Sequence, residues 1–384
     1  MKRFLCIFLA AVLLTSVFSF KAQAADLGVE AKSALLMDVQ TGTVLYEKDA
    51  HTQLAPASVT KVMTMLLIME AIDSGRIGWN DTVTASETAA AKGGSQIYLK
   101  AGETMSVSDM VKSIAVSSAN DCACAMAEHI FGSESAFVDA MNARAAELGM
   151  QDTHFVNCTG LDDSEDAKTN HKTSAYDIAI MSRELLKMHP DIKKFTTIWM
   201  DTVRNGAFGL SNTNKLVRFY SGATGLKTGF TSDAGYCLSA SAARDGLELI
   251  AVVMGCETSQ KRFAACKSML DFGFANYAVV QPEMPKNATV PVRLGTLDTV
   301  TAGVADTGAL LIDKSQKGMV TTEFTLEPEV TAPVSKGQRL GTMTMKAGAQ
   351  ILKQVPLVAE YSVPRLQFGQ LFIRMLKRLA MAKV

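Results

Sequence analysis

The sequence predicts a mixed α/β domain with an antiparallel sheet, followed by a small all-β domain and a C-terminal amphipathic helix. Helical stretches cluster between strand-like runs that come from both ends of the segment between Ala34 and Val280. Past about Val280 the texture changes to short alternating runs punctuated by Pro282 and Pro285. After Pro364 an apolar face recurs at helical spacing. The expected divisions are a leader at 1–24, a first domain at 25–280, an all-β domain at 281–363 and a surface helix at 364–384.

The chain of 384 residues opens with Lys2 and Arg3, an apolar stretch from Phe4 to Phe18, and the small-x-small pattern Ala22-Gln23-Ala24. This reads as a secretory leader cut after Ala24. An apolar run of roughly 15 residues is short for a bilayer span, which needs about 20. Ala34 to Tyr46 has two apolar runs around Gln40-Thr41-Gly42, the pattern of a β-hairpin. Pro56 precedes a segment through Ile72 that is almost wholly apolar after Lys61, so a buried helix is expected to begin near Ala57. Further helical stretches are expected at Met110 to Phe131, Ala136 to Leu148 and Ser174 to Met188. Two strand-like runs between Tyr236 and Val253 flank the turn signal Arg244-Asp245-Gly246. In the all-β part, Thr289 to Leu294, Thr321 to Leu326 and Gly341 to Met345 are the clearest short strands.

Composition excludes some function classes. Lys plus Arg and Asp plus Glu each number 38, for a formal charge of zero, and no basic patch with interleaved aromatics appears, so no nucleic acid partner is expected. His51, His129, His154, His171 and His189 are scattered without ligand spacing, so no metal and no other cofactor is expected. Cys122, Cys124, Cys158, Cys237, Cys256 and Cys266 remain after loss of the leader. Their apolar contexts favour free, buried thiols over disulfides.

Three motifs carry the chemistry, in order: Ser58-Val59-Thr60-Lys61, Ser118-Ala119-Asn120 and Lys227-Thr228-Gly229. At a helix start, residues 58 and 61 lie on one face, so the Lys61 amine reaches the Ser58 hydroxyl. A serine is a poor nucleophile until a base takes its proton. Lys61 can do so only with a lowered pKa, which burial in the apolar helix and the nearby Lys227 cation would supply. Ser118 and Asn120 are placed on a turn entering a helix at Asp121, where a hydroxyl can relay a proton and an amide can bind a peptide group. Gly229 permits close backbone approach, and Lys227 offers a cation to a substrate carboxylate.

This ordered set resembles the SxxK, SxN and KTG signature of penicillin-binding proteins and serine β-lactamases. The longer runs Leu54 to Lys61, His154 to Leu161, Gly225 to Thr231 and Gly235 to Leu238 resemble the low-molecular-mass D-Ala-D-Ala carboxypeptidases of the peptidase S11 type. The resemblance implies a penicillin-binding-protein-like fold and removal of the terminal D-alanine from peptidoglycan stem peptides, with inhibition by β-lactam antibiotics. It assigns Ser58 as the acylated nucleophile, Lys61 as proton acceptor and Ser118 as proton relay. Asn120, Lys227, Thr228 and Gly229 would bind substrate, and the backbone N–H groups of Ser58 and Phe230 would form the oxyanion hole. Cys158 stands where the family pattern leads one to expect proline. A class A β-lactamase would need Glu-x-x-x-Asn before the third motif; Glu165 and Asn170 are five apart, and Asp166 has the spacing but is the wrong acid. A catalytically silent peptidoglycan-binding protein is the other alternative, disfavoured because the full reactive set is present.

In the tail, Phe368, Leu371, Phe372, Met375, Leu376 and Leu379 share one helical face, opposite Gln367, Gln370, Arg374, Lys377 and Arg378. No acid occurs after Glu360. Such a helix suits a membrane surface rather than a span. The expected location is therefore the outer face of the cytoplasmic membrane, held peripherally.

Overall fold

The computed structural model describes residues 27–281, 288–304 and 309–381. The leader expected at 1–24, with Pro282 and Pro285, lies outside the described residues, as do the side chains of Lys377, Arg378 and Leu379.

A five-stranded sheet forms the centre of the first part. Its strands lie in the order Val44–Lys48, Ser33–Asp38, Leu247–Cys256, Gly235–Arg244, Ala223–Thr231, all neighbours antiparallel. The N-terminal hairpin thus joins strands contributed some two hundred residues later, as the clustering of strand signals at both ends implied. Ser33–Asp38 and most of Leu247–Cys256 are buried on both faces. Because strand side chains alternate, Leu35, Met37, Ile250, Val252 and Met254 enter one core cluster, and Ala34, Leu36, Leu249, Ala251 and Val253 enter the other. Covering of both faces explains why these strands read as continuous apolar runs.

The first cluster holds the helix Lys61–Asp73, in which every residue from Lys61 to Met69 is buried, as its unbroken apolar sequence requires. The helices Val107–Ser117, Asn120–Phe131, Glu134–Glu147 and Ala175–Met188 pack with it. Several begin at serine caps: Ser106 Oγ accepts from Asp109 N and Ser174 Oγ from Asp177 N. The helical stretch expected from Met110 to Phe131 is two helices, with the turn expected at Ser118 between them. It breaks at Ser118, whose φ of 62° lies in the left-handed region, and Ala119 leads into the second helix at Asn120 rather than Asp121. The helix Ser259–Asn276 covers the other face.

Beyond it, Tyr277–Val280 pairs with Leu310–Asp313, and Leu311 joins the second cluster. The later strands form a six-stranded sheet in the order Val320–Leu326, Arg339–Ala347, Gln350–Ala359, Thr299–Val304, Thr289–Arg293, Val330–Thr331, with a separate core around Val290, Val300, Leu340, Met343 and Leu357. A helix follows at Phe368–Met381. Among the described residues the six cysteines are free and buried, in keeping with their apolar contexts.

Candidate active site

The short 3-10 turn Ala57–Thr60 delivers Ser58 to the mouth of the buried helix that begins at Lys61. Lys61 is fully buried, and its Nζ lies 2.8 Å from Ser58 Oγ and 2.8 Å from the carbonyl oxygen of Thr159, to which it donates. Burial pushes the Lys61 amine down to about 7, against the opposing fields of Cys158 and Asp121. At neutral pH a large share of the amine is therefore unprotonated and able to accept the Ser58 proton.

Asn120 opens the helix Asn120–Phe131, whose Asp121 charge acts on Lys61, and Ser118 stands two residues before it. Left-handed geometry at Ser118 turns its hydroxyl out of the helix ladder, and Ser118 Oγ is buried without a hydrogen-bond partner among the described residues. The Asn120 amide is oriented by its Nδ2, which donates to Gly93 O at 2.7 Å, leaving Oδ1 buried and unpartnered. Buried polar atoms are nearly always paired. Ser118 Oγ and Asn120 Oδ1, two residues apart, are thus buried polar atoms with remaining hydrogen-bonding capacity. The neighbouring Asp121 carboxylate accepts from the N–H groups of Ile97, Leu99 and Cys122 and so ties the 93–99 loop to the helix start.

The third motif lies inside the strand Ala223–Thr231, not in the turn that its glycine would allow. Lys227 pairs across to Ser239 and Gly229 to Cys237. Lys227 is fully buried, and its Nζ donates to Thr228 O at 2.9 Å; among the described residues no carboxylate is paired with it. Burial first, then the Lys61 and Arg262 charges, holds its ammonium well below the ordinary lysine range. The expectation that Lys227 depresses Lys61 is corrected in emphasis: burial is the main cause at Lys61, and the repulsion appears at Lys227. Gly229 is required sterically, since a Cβ there would sit 2.6 Å from Pro56 O and 3.1 Å from Ser58 N. The strand leading to Phe230 thus runs directly against the Ser58 backbone. Thr228 Oγ1 donates to Thr213 Oγ1 at 2.7 Å, and Thr213 N donates to Val116 O near Ser118, so the second and third motifs are tied together.

Sequence reasoning missed several supporting groups. Arg262 donates to the carbonyl oxygens of Gly229 and Cys237 and braces the strand from behind. Asn157 Oδ1 accepts from the N–H groups of Thr159 and Gly160, shaping the loop whose carbonyl receives Lys61. Cys158, the departure from the family pattern, donates its N–H to Glu134 Oε1 at 3.2 Å, a bond that proline cannot make. Glu134 is in turn paired with Lys92 at 2.7 Å. Glu165 pairs with Lys168 and Asp166 with Asn170 on an exposed helix, outside this cluster of buried groups.

Comparison with known proteins places the chain in a family. The family profile of D-alanyl-D-alanine carboxypeptidase, peptidase S11, matches residues 19–258, more than half of the chain. The chain belongs to the peptidase S11 family. The C-terminal domain of penicillin-binding protein 5 matches residues 278–365. Within the S11 family the chain is similar to D-alanyl-D-alanine carboxypeptidase DacF of Bacillus subtilis, 44% identical over 89% of this chain and 88% of that one. It is 33% identical to DacC of Escherichia coli over 87% of this chain and 84% of the relative. Among solved structures, penicillin-binding protein 5 of Haemophilus influenzae superposes with a TM-score of 0.72 at 30% identity, covering 88% of this chain and 98% of that chain. A penicillin-binding protein of Listeria monocytogenes, solved in its ampicillin-bound form, gives a TM-score of 0.57 at 31% identity over 65% of this chain and all of that one. The penicillin-binding-protein-like architecture and the S11 assignment read from the motifs are both met.

Proposed function

We propose that this S11 carboxypeptidase removes the terminal D-alanine of peptidoglycan pentapeptide stems through an acyl-enzyme on Ser58. The carrying observation is the 2.8 Å contact between Ser58 Oγ and a buried Lys61 amine whose pKa is lowered to about 7. Ser58 Oγ attacks the carbonyl carbon between the two D-alanines while its proton passes to Lys61 Nζ. Negative charge gathers on the former carbonyl oxygen, which the backbone N–H groups of Ser58 and Phe230 receive. The C–N bond then breaks, and the proton held by Lys61 returns through the Ser118 hydroxyl to the departing amine of D-alanine. Water resolves the ester with the same groups acting in reverse.

The unpartnered Asn120 Oδ1 accepts from the stem-peptide amide. Lys227 and Thr228 receive the terminal carboxylate. Burial disfavours the Lys227 cation, and a bound carboxylate offsets that cost. A β-lactam presents a carboxylate beside a strained amide and is proposed to enter the same site; that a Listeria relative was solved in its ampicillin-bound form supports β-lactam binding. Penicillin labelling tracked by intact mass, with release of D-alanine from a pentapeptide, tests the proposal. Absence of either signal in folded wild-type protein counts against it.

The chain is further proposed to be exported by residues 1–24 and held peripherally at the outer face of the cytoplasmic membrane by the tail from about Leu366. Phe368, Phe372, Ile373, Met375 and Leu376 are exposed large apolar side chains on that helix. Arg374 is committed to Asp298 and to Gly295 O at 2.9 Å, which fixes one side of the helix to the β-rich part. No helix among the described residues is long and apolar enough to cross a membrane. Sedimentation with anionic vesicles at low salt, full length against a variant ending at Pro364, tests the anchor. Equal binding by both would remove it.

A further inference from the structure

The turn that carries Ser58 is held by a hydrogen-bond chain ending on a buried histidine. Val156 N–H donates to His171 Nδ1 at 3.1 Å, so that nitrogen carries no proton. Thr60 donates its one hydroxyl proton to Ala57 O at 2.8 Å. The 2.8 Å contact between Thr60 Oγ1 and His171 Nε2 therefore uses the proton of the imidazole. His171 is thus the neutral Nε2–H tautomer, accepting at one nitrogen and donating at the other. Burial, with the charges of His154, Lys172 and Lys61 facing it, pushes its pKa down to about 4, which keeps the ring in this state across the neutral range.

The chain ends where geometry matters most. Ala57, immediately before Ser58, has a φ of 48°, a left-handed conformation that a non-glycine residue keeps only when its surroundings enforce it. Its carbonyl oxygen is enclosed by Thr60 on one side and Gly160 on the other, where even a Cβ would come within 1.8 Å. Thr60 also directly precedes Lys61. One donor–acceptor relay thereby fixes the backbone on both sides of the nucleophile and its base.

We propose that His171 is a positioning residue for acyl transfer, acting through Thr60 and the Ala57 carbonyl to hold Ser58 Oγ against Lys61 Nζ. The proposal rests on the reading of Ser58 as nucleophile, and a Ser58→Ala control judges that reading separately.

His171→Asn keeps an acceptor for Val156 N–H but loses the donor to Thr60, whereas His171→Gln keeps that donor. Thr60→Val removes the hydroxyl with little change of shape. The measurements are kcat and KM on a D-Ala-D-Ala peptide, the penicillin acylation rate and the melting temperature. His171→Asn and Thr60→Val should each lower kcat and acylation about tenfold, the scale of one buried hydrogen bond, with KM changed less than about twofold. His171→Gln should recover most of the loss, and the His171→Asn, Thr60→Val double variant should be no slower than either single one. Wild-type turnover in His171→Asn, equal damage from Asn and Gln, or multiplying losses in the double variant would overturn the proposal. If His171→Asn does not fold, Thr60→Ser against Thr60→Val gives the same decision, since only serine keeps the hydroxyl. A Ser58→Ala control that still acylates overturns the nucleophile assignment instead.

Discussion

Replacing Lys61 by arginine separates a base from a mere cation. An ordinary lysine, with a pKa near 10.4, is neutral in only about one molecule in 2,500 at pH 7. With the amine brought down to about 7, half of Lys61 is neutral at that pH. Burial therefore raises the population of competent base by about three orders of magnitude. The sign follows from the same cause: acylation should rise about tenfold per pH unit below 7 and level off above it, as the buried amine loses its proton. Arginine keeps the positive charge but does not deprotonate in the accessible range, so Lys61→Arg should acylate at least about a thousandfold more slowly. Second-order acylation by penicillin, followed by stopped flow from pH 5.5 to 8.5, measures both effects. A flat profile in the wild type, or an arginine variant within tenfold of it, would refute the assignment of Lys61 as base.

Lys227→Ala should lose about 2 to 4 kcal/mol in kcat/KM on D-Ala-D-Ala peptides, the scale of removing one partner from a buried charge pair, with stability harmed less than catalysis. Steady-state kinetics with thermal melting checks this, and near wild-type turnover would count against a carboxylate site. Gly160→Ala should fail to accumulate as folded enzyme, because its φ of 79° and the 1.8 Å approach to Ala57 O leave no room for a Cβ; normal expression and melting would contradict this. His171 binds its proton only near pH 4 when folded but near 6.5 when unfolded, so stability should fall by about 3 kcal/mol as pH drops from 6.5 to 4. Urea denaturation of wild type and His171→Gln over that range checks it, and identical pH slopes would remove the contribution.

The chemistry was legible because each motif is contiguous. Ser58 and Lys61 are three residues apart at the start of a helix, so local geometry alone brings them together. The apolar run after Lys61 announced a buried helix, and with it the low pKa of its lysine. The turn at Ser118 was legible from the motif but its backbone conformation was not, because a left-handed serine has no glycine to mark it and apolar residues continue on both sides. The setting of Lys227 was harder still: Gly229 signals only close backbone approach, and the pairing of Lys227 with Ser239 and Gly229 with Cys237 is what makes the motif a strand interior. His171 appeared as one of five scattered histidines, since its partners Thr60 and Val156 come from separate segments. Contacts that depend on tertiary closure leave no local periodicity to read.

The central claim is that one serine carries the acyl group. Intact mass spectrometry of the folded enzyme after exposure to penicillin, with peptide mapping of the adduct and a parallel assay for D-alanine release, tests it most directly. The wild type should gain one penicillin mass on the peptide containing Ser58 and release D-alanine, and a folded Ser58→Ala variant should do neither. An adduct on another residue, or D-alanine release by the alanine variant, would contradict the account.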